Sequence, residues 1–312
     1  MLSRVADSLY WMARYLERAE HTARVVSVHL NQTLDRTADG AVGSVGRLVA
    51  SIPAPPSGPR PSLEEGDQAS REAIAACVAA ARENARQVRE QISSEMWEEL
   101  NRLFLQVRSA STDQWWGTHS HEYFTSVLAG VHLFQGITDA TMTHGEGWHY
   151  IQVGRFIERT SLTAALLAAH FEGLESTVDR PDEVGSFLEW MGLLKSACAF
   201  EGYCRFYTAD LQSARIVEFL LLNADFPRSV RFAAGRIESA LKAVARHTGR
   251  GAGRAERLAG RLRASLDFGQ VDEIVAGGLQ AYLLGITRQC AEVHSAIYQT
   301  YITYPIEASL SS

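Results

Sequence analysis

The chain has 312 residues, of which 46% are hydrophobic and 21% charged, with a formal net charge of -6. That length suits a large core and one big domain or two, and the composition is ordinary for a globular protein. The acidic balance excludes a general nucleic-acid binder, which needs a basic face to displace counterions.

The first segment carries Val5, Leu9, Met12, Leu16, Ala19, Ala23, Val26 and Leu30 at alternating steps of four and three. This heptad stripe predicts one long helix packed against others. Arg4, Asp7, Arg14 and Glu17 interrupt it, so it does not read as a signal peptide. Residues 38–69 hold Pro53, Pro55, Pro56, Pro59 and Pro61 and read as a loop, mobile at least in part. Helix resumes over about 72–111, with a break near Ser93-Ser94, and again over about 122–142. Thr143 and Glu146 have capping-box spacing ahead of a helix running to Phe171. Further helices are expected over 183–207, 210–223, 228–247, 253–267 and 270–303, with Pro227 in a first helical turn.

No segment approaches the ~18 apolar residues of a membrane span. Cys77, Cys198, Cys204 and Cys290 form no C-x-x-C pair and read as buried free thiols of a reducing compartment. The cytoplasm is the expected location.

The chain repeats itself. Arg14-Tyr-Leu-Glu-Arg-Ala recurs as Arg155-Phe-Ile-Glu-Arg-Thr, and Arg86-Gln-Val-Arg89 recurs as Arg228-Ser-Val-Arg231. A fainter echo links Gly136-Ile-Thr to Gly285-Ile-Thr. The pattern predicts an all-α, elongated helical bundle of two pseudo-equivalent duplicated halves. These are residues 1–143, with the Pro-rich loop, and residues 144–312, together one compact domain.

Each residue turns a helix by about 100°. With Leu16 facing the core, Arg14 and Arg18 point to the other side, beside Tyr10, Trp11, His21 and Val25. In the second copy the stripe is Tyr150, Val153, Ile157, Thr160, Ala164, Leu167 and Phe171, and Arg155 and Arg159 lie opposite, among Ile151, Leu162 and Leu166. A guanidinium among apolar neighbours must find carboxylates, carbonyls or an anion, and Glu158 and Glu17 are the obvious internal partners. Lys195 and Lys242 are the only lysines, and Arg suits bidentate anion contacts better than Lys.

If Arg86, Arg89, Arg228 and Arg231 also face inward, arginine exceeds glutamate there, which suits a phosphate or carboxylate ligand. Candidate ligand-binding residues are therefore Arg14, Arg18, Arg86, Arg155, Arg159 and Arg228. Candidate acid–base residues are Glu17 and Glu158. A buried structural network and plain surface pairs are the competing readings. Glu201 and Arg205, with Tyr203 and Tyr207, could extend the cluster.

Glu146-x-x-His149 has di-iron spacing but no second copy, so it reads as a metal ligand pair or a packed histidine. His119, Ser120, His121 and Glu122 read as a metal cluster or as the start of a helix after Trp115-Trp116-Gly117. No Walker loop, dinucleotide fingerprint or nucleophile elbow is present. The expectation is no metal and no cofactor.

At these motifs the sequence resembles the bacterial alpha-E family. The matching stretches are Met1-Leu-Ser-Arg-Val-Ala-Asp-Ser-Leu-Tyr-Trp-Met with Arg14-Tyr-Leu-Glu-Arg-Ala-Glu, Ala81-Arg-Glu-Asn-Ala-Arg-Gln-Val-Arg-Glu, Met96-Trp-Glu-Glu-Leu-Asn, Gly147-Trp148 with Gly154-Arg-Phe-Ile-Glu-Arg, and Asp225-Phe-Pro-Arg-Ser-Val-Arg. The Pro-rich stretch 52–61 departs from the pattern. The resemblance implies company with a circularly permuted ATP-grasp ligase, often near a transglutaminase-like peptidase. That setting implies a partner or accessory subunit in peptide synthesis or modification; net charge and hydropathy predict no nucleic acid or membrane partner. A stand-alone enzyme using Glu17 or Glu158, and a non-catalytic scaffold, are the alternatives.

Overall fold

The computed structural model describes residues 1–34, 47–61, 66–110, 116–172, 183–208, 210–249 and 251–303. These residues form twelve α-helices and no strand, so the chain is all-α. No helix among them is long and apolar enough to cross a membrane.

The heptad stripe becomes α1, Ser3–Leu34. Leu9, Met12, Leu16, Ala19, Ala23 and Val26 are all buried along it. Its other side is covered as well, with Tyr10 and Val25 fully buried. A single 3₁₀ turn, Val49–Ser51, then docks Leu48, Val49 and Ile52 into the core. This part of the proline-rich segment is therefore packed structure; residues 38–46 and 62–65 lie outside the described residues.

The helix α2, Gly66–Gln87, begins six residues before the expected Glu72. The expected break falls at a 3₁₀ turn, Arg89–Gln91, ahead of α3, Ser94–Ala110. The next helix, α4, spans Trp116–Thr141, so His121 and Glu122 lie inside a helix rather than at its start. The helix α5, Glu146–Phe171, starts after Gly145 with no side-chain cap. The Thr143–Glu146 capping box does not form; Glu146 instead accepts a bond from the Met1 ammonium at 3.0 Å.

The expected helix over 183–207 is two helices, α6 (Glu183–Ser196) and α7 (Phe200–Tyr207), broken where Cys198 adopts φ 52°. After α8, Ser213–Leu222, the helix α9 runs Val230–His247. The side chain of Ser229 accepts from the Phe232 amide as its N-cap, so Pro227 precedes the helix rather than sitting in its first turn. The helix α10, Arg254–Asp267, falls as expected. The last stretch divides into α11 (Val271–Ala276) and α12 (Leu279–Ile297) at Gly278, whose φ of 97° favours glycine.

Two helices organise the rest. The helix α1 lies against α2, α4 and α5, and α5 lies in turn against α9 and α12. At their crossing Gly154 of α5 sits so close to α1 that a Cβ there would fall 2.2 Å from the Tyr10 carbonyl oxygen. Backbone contact of this kind brings the charged side chains of both helices within reach of one another.

Candidate functional site

The two Arg-x-x-Glu-Arg clusters meet at that crossing and exchange partners. Glu158 of α5 accepts Arg14 Nε at 2.6 Å and Arg18 Nε at 2.7 Å, both from α1. Glu17 of α1 accepts Arg159 Nε at 2.5 Å and Nη2 at 2.9 Å, a bidentate pair from α5. Arg155 donates to Gln135 Oε1 of α4 at 2.7 Å, and Gln135 Nε2 reaches Glu17 at 3.4 Å. Arg228 comes in from the segment before α9, donating to Glu20 at 2.7 Å and lying 3.8 Å from Glu17. Arg24 closes on Glu20 from one turn along α1. Further bonds fix the periphery: Arg159 Nη1 to the Pro227 carbonyl at 3.3 Å, and Thr163 to the Arg228 carbonyl at 3.2 Å.

The carboxylates are deep: Glu17 is 1% exposed, Glu20 0% and Glu158 3%. Burial alone would push the Glu158 carboxyl up; Arg14 and Arg18 outweigh it and hold it below the usual carboxylate range. Burial acts the same way on Glu17, and Arg159 and Arg228 again prevail. Glu20 lies lower still, against Arg228 and Arg24. Carboxylates held ionised in this way carry no proton to donate near neutrality. The charge is unbalanced. Among the described residues Arg14, Arg18, Arg24, Arg159 and Arg228 pair with Glu17, Glu20 and Glu158, while Arg155 donates to Gln135 and feels the charges of Glu17 and Asp139.

One edge of the cluster is aromatic and reachable by water. Trp11 and Tyr15 stack with ring centres 5.1 Å apart, and the Arg14 guanidinium lies 4.4 Å over Trp11. Arg18 lies 5.7 Å from Trp11 and 5.8 Å from Tyr15, and also donates to the Ala54 carbonyl. Behind them Tyr10 and Arg14 Nη1 both meet His294 Nδ1, at 2.8 and 3.1 Å. A guanidinium can only donate, so Nδ1 is the acceptor and His294 is neutral with its proton on Nε2. Tyr298 accepts from Trp11 and donates to Asp7.

Burial, with Arg14 beside it, pushes His294 down to about 4; burial does the same to His21 and His170. In the unfolded chain these rings bind protons below about 6.5, whereas the folded chain resists until about 4. Stability should therefore fall as pH drops through that window and stay flat above it. The arginine-held carboxylates add a second loss below their ordinary 4.5. Urea unfolding at a series of pH values measures the slope. His294→Asn, whose amide oxygen can replace Nδ1, should make it shallower; an identical slope would contradict the assignment.

A family model described as a predicted alpha-helical domain with a conserved ER motif matches residues 1–302. The chain belongs to the Alpha-E family. It carries the Glu-Arg dipeptide at 17–18 and 158–159, both in this cluster, and again at 256–257 outside it. Uncharacterized proteins of Mycobacterium bovis and of two Mycobacterium tuberculosis strains are 26% identical over 339 aligned residues. The match covers 97% of this chain but only 37% of each relative's length. No solved structure matches.

Not every expected residue of this Alpha-E chain joins the cluster. Arg86 stands on the surface at the end of α2, 61% exposed and paired with Glu83 at 2.7 Å. It is thus unlike Arg228, its partner in the sequence repeat, because a helix end turns it outward. Arg89 lies 5.5 Å over Trp97, and Arg231 pairs with Asp267 at 2.8 Å. Glu201 and Arg205 are exposed on α7, apart from the cluster. Glu20, Arg24, Gln135 and His294 were not singled out from sequence. Only Glu20 had a signal, three residues from Glu17 and four from Arg24 on one helix face.

His149 packs against Trp148 and His247. His121 touches Thr125 at 3.5 Å, and the His119 side chain lies outside the described residues. Among the described residues no group of three or more His, Cys, Asp or Glu side chains could hold a metal. All four cysteines are free, but only Cys77 and Cys290 are buried; Cys198 is exposed where the chain turns between α6 and α7.

Proposed function

We propose that this Alpha-E chain is a partner subunit of an ATP-grasp-type amide ligase system for peptide synthesis or modification, holding an anionic carboxylate or phosphate group on its Arg/Glu cluster. The observation that carries the reading is the surplus of guanidinium groups at an edge that water reaches. Arg14 and Arg18 are 13% and 16% exposed, against 4% for Arg159. Trp11 and Tyr15 hold their planes in place, so a planar anion would meet preorganised donors. The resemblance supplies the ligase. The described residues contain no strand, so in this reading ATP chemistry belongs to the partner. The greater length of the mycobacterial relatives agrees with a role beside another module.

The test combines the purified chain with an ATP-grasp ligase of the same organism and follows ATP-dependent amide formation. Product should require both chains. Arg18→Gln, which leaves Arg14 on Glu158, should raise KM for the acidic substrate about 10–100-fold, the worth of one charge-assisted hydrogen bond. Full ligase activity without this chain rejects the proposal.

A second reading is favoured by the exchange of partners itself: each cluster's glutamate is held by arginines from another helix, as in a structural lock. In that case neither phosphate nor glutamate raises the melting temperature of the isolated chain, whereas a bound anion would.

A further inference from the structure

We propose that the arginine edge and Asp7 together bind the two charged ends of one short, unblocked peptide, its terminal carboxylate on Arg14 and Arg18 and its amine on Asp7. Asp7, Trp11, Arg14 and Arg18 follow one another on α1 at steps of four, three and four, so they share one face of the helix. Trp11 sits between the two ends. Its indole N–H donates to the Tyr298 hydroxyl, which donates in turn to Asp7 Oδ1, while the Arg14 guanidinium covers the Trp11 ring. All five side chains are half-buried, held in place yet open to a ligand.

Each end keeps a group with nothing to bind. Arg14 directs Nε to Glu158 and Nη1 to Tyr10 and His294, and its Nη2 meets no acceptor among the described residues. Two arginines share the single carboxylate of Glu158, so this end carries net positive charge. Asp7 accepts the Tyr298 hydroxyl and forms no ion pair among the described residues, not even with Arg4 one turn earlier. A lone phosphate would satisfy the arginines and leave Asp7 uncompensated. Arg14 lies two turns beyond Asp7 and Arg18 three, ~10 and ~16 Å along the helix. A single amino acid is too short to join such ends. Three extended residues span at most about 10–11 Å, so a tripeptide would reach from Asp7 to the arginines with Trp11 beside its middle, making charge-assisted hydrogen bonds at both termini.

This inference rests on the anion site of the proposed function, but needs no ligase. The test titrates the isolated chain by calorimetry at pH 7 with Gly-Leu-Gly, its N-acetyl form, its C-terminal amide, and inorganic phosphate. Gly-Leu-Gly should bind saturably, and each blocked form about 10–100-fold more weakly, the worth of one lost charge-assisted contact. Asp7→Asn, which keeps an acceptor for Tyr298, should bind the free and N-acetyl peptides alike; if that variant fails to fold, the four ligands on the unaltered chain decide. Phosphate binding without Gly-Leu-Gly binding, or an N-acetyl peptide as tight as the free one, overturns this inference and leaves the anion site standing. An amide as tight as the acid, or no binding by any of the four, overturns both.

Discussion

Glu158→Gln should lower the free energy of unfolding by about 3–5 kcal/mol, the cost of breaking a buried ion pair from one side. The carboxylate is 3% exposed and is the anion on which Arg14 and Arg18 both end, at 2.6 and 2.7 Å. A glutamine fills the same volume but offers one neutral oxygen, in place of a charge, to two mostly buried cations. Neither arginine can shed its proton as relief, because a guanidinium stays charged. Urea unfolding followed by circular dichroism gives the number. Glu83→Gln, which also deprives an arginine of its partner but on the surface, should leave the urea midpoint where it is. Equal effects of the two variants would mean that the cluster is hydrated in solution.

Gly154→Ala should be as damaging for a purely steric reason. The added methyl would lie 2.2 Å from the Tyr10 carbonyl oxygen and 3.1 Å from its carbonyl carbon. These are backbone atoms of α1, so no rotamer change relieves the clash, and the helices must move apart. Overpacking typically costs about 1–3 kcal/mol, and the separation also stretches the ion pairs across the crossing, so about 3 kcal/mol or more is expected. Gly235 is the control. It lies in α9, where an added methyl would meet nothing within 4 Å, and alanine there should stabilise by up to ~1 kcal/mol through helix propensity alone. Thermal melts of both variants compare the two. A Gly154→Ala protein as stable as the parent would place the helices farther apart than described.

The fold was legible where periodicity was long. Eight stripe residues from Val5 to Leu30 specify α1, and the charged face of α5 was visible because Arg155 and Arg159 sit among Ile151, Leu162 and Leu166. Short-range signals did worse. The stretch Gly66–Arg71 opens on the weak helix formers Gly66 and Asp67, yet α2 begins there, with Ser70 buried against the rest of the fold. The break at Cys198 carries neither Gly nor Pro to announce it. Helical geometry gave the direction of Arg14 and made Glu17 and Glu158 its expected partners, but not that the pairing crosses from one helix to the other, because Glu158 lies 144 residues away. His294, 280 residues from Arg14, had no local mark at all. Arg86 was misplaced because a matching string of letters does not guarantee a matching place on a helix.

The reciprocal clasp of Glu17 and Glu158 also sets a timetable for assembly. As the polypeptide leaves the ribosome, the arginines of α1 emerge long before the acid that neutralises them, and the acid of α1 likewise waits for Arg159. Local encounters cannot complete this centre; it closes only after a loop of about half the molecule has been drawn together, a slow, late event by the usual relation between sequence separation and folding rate.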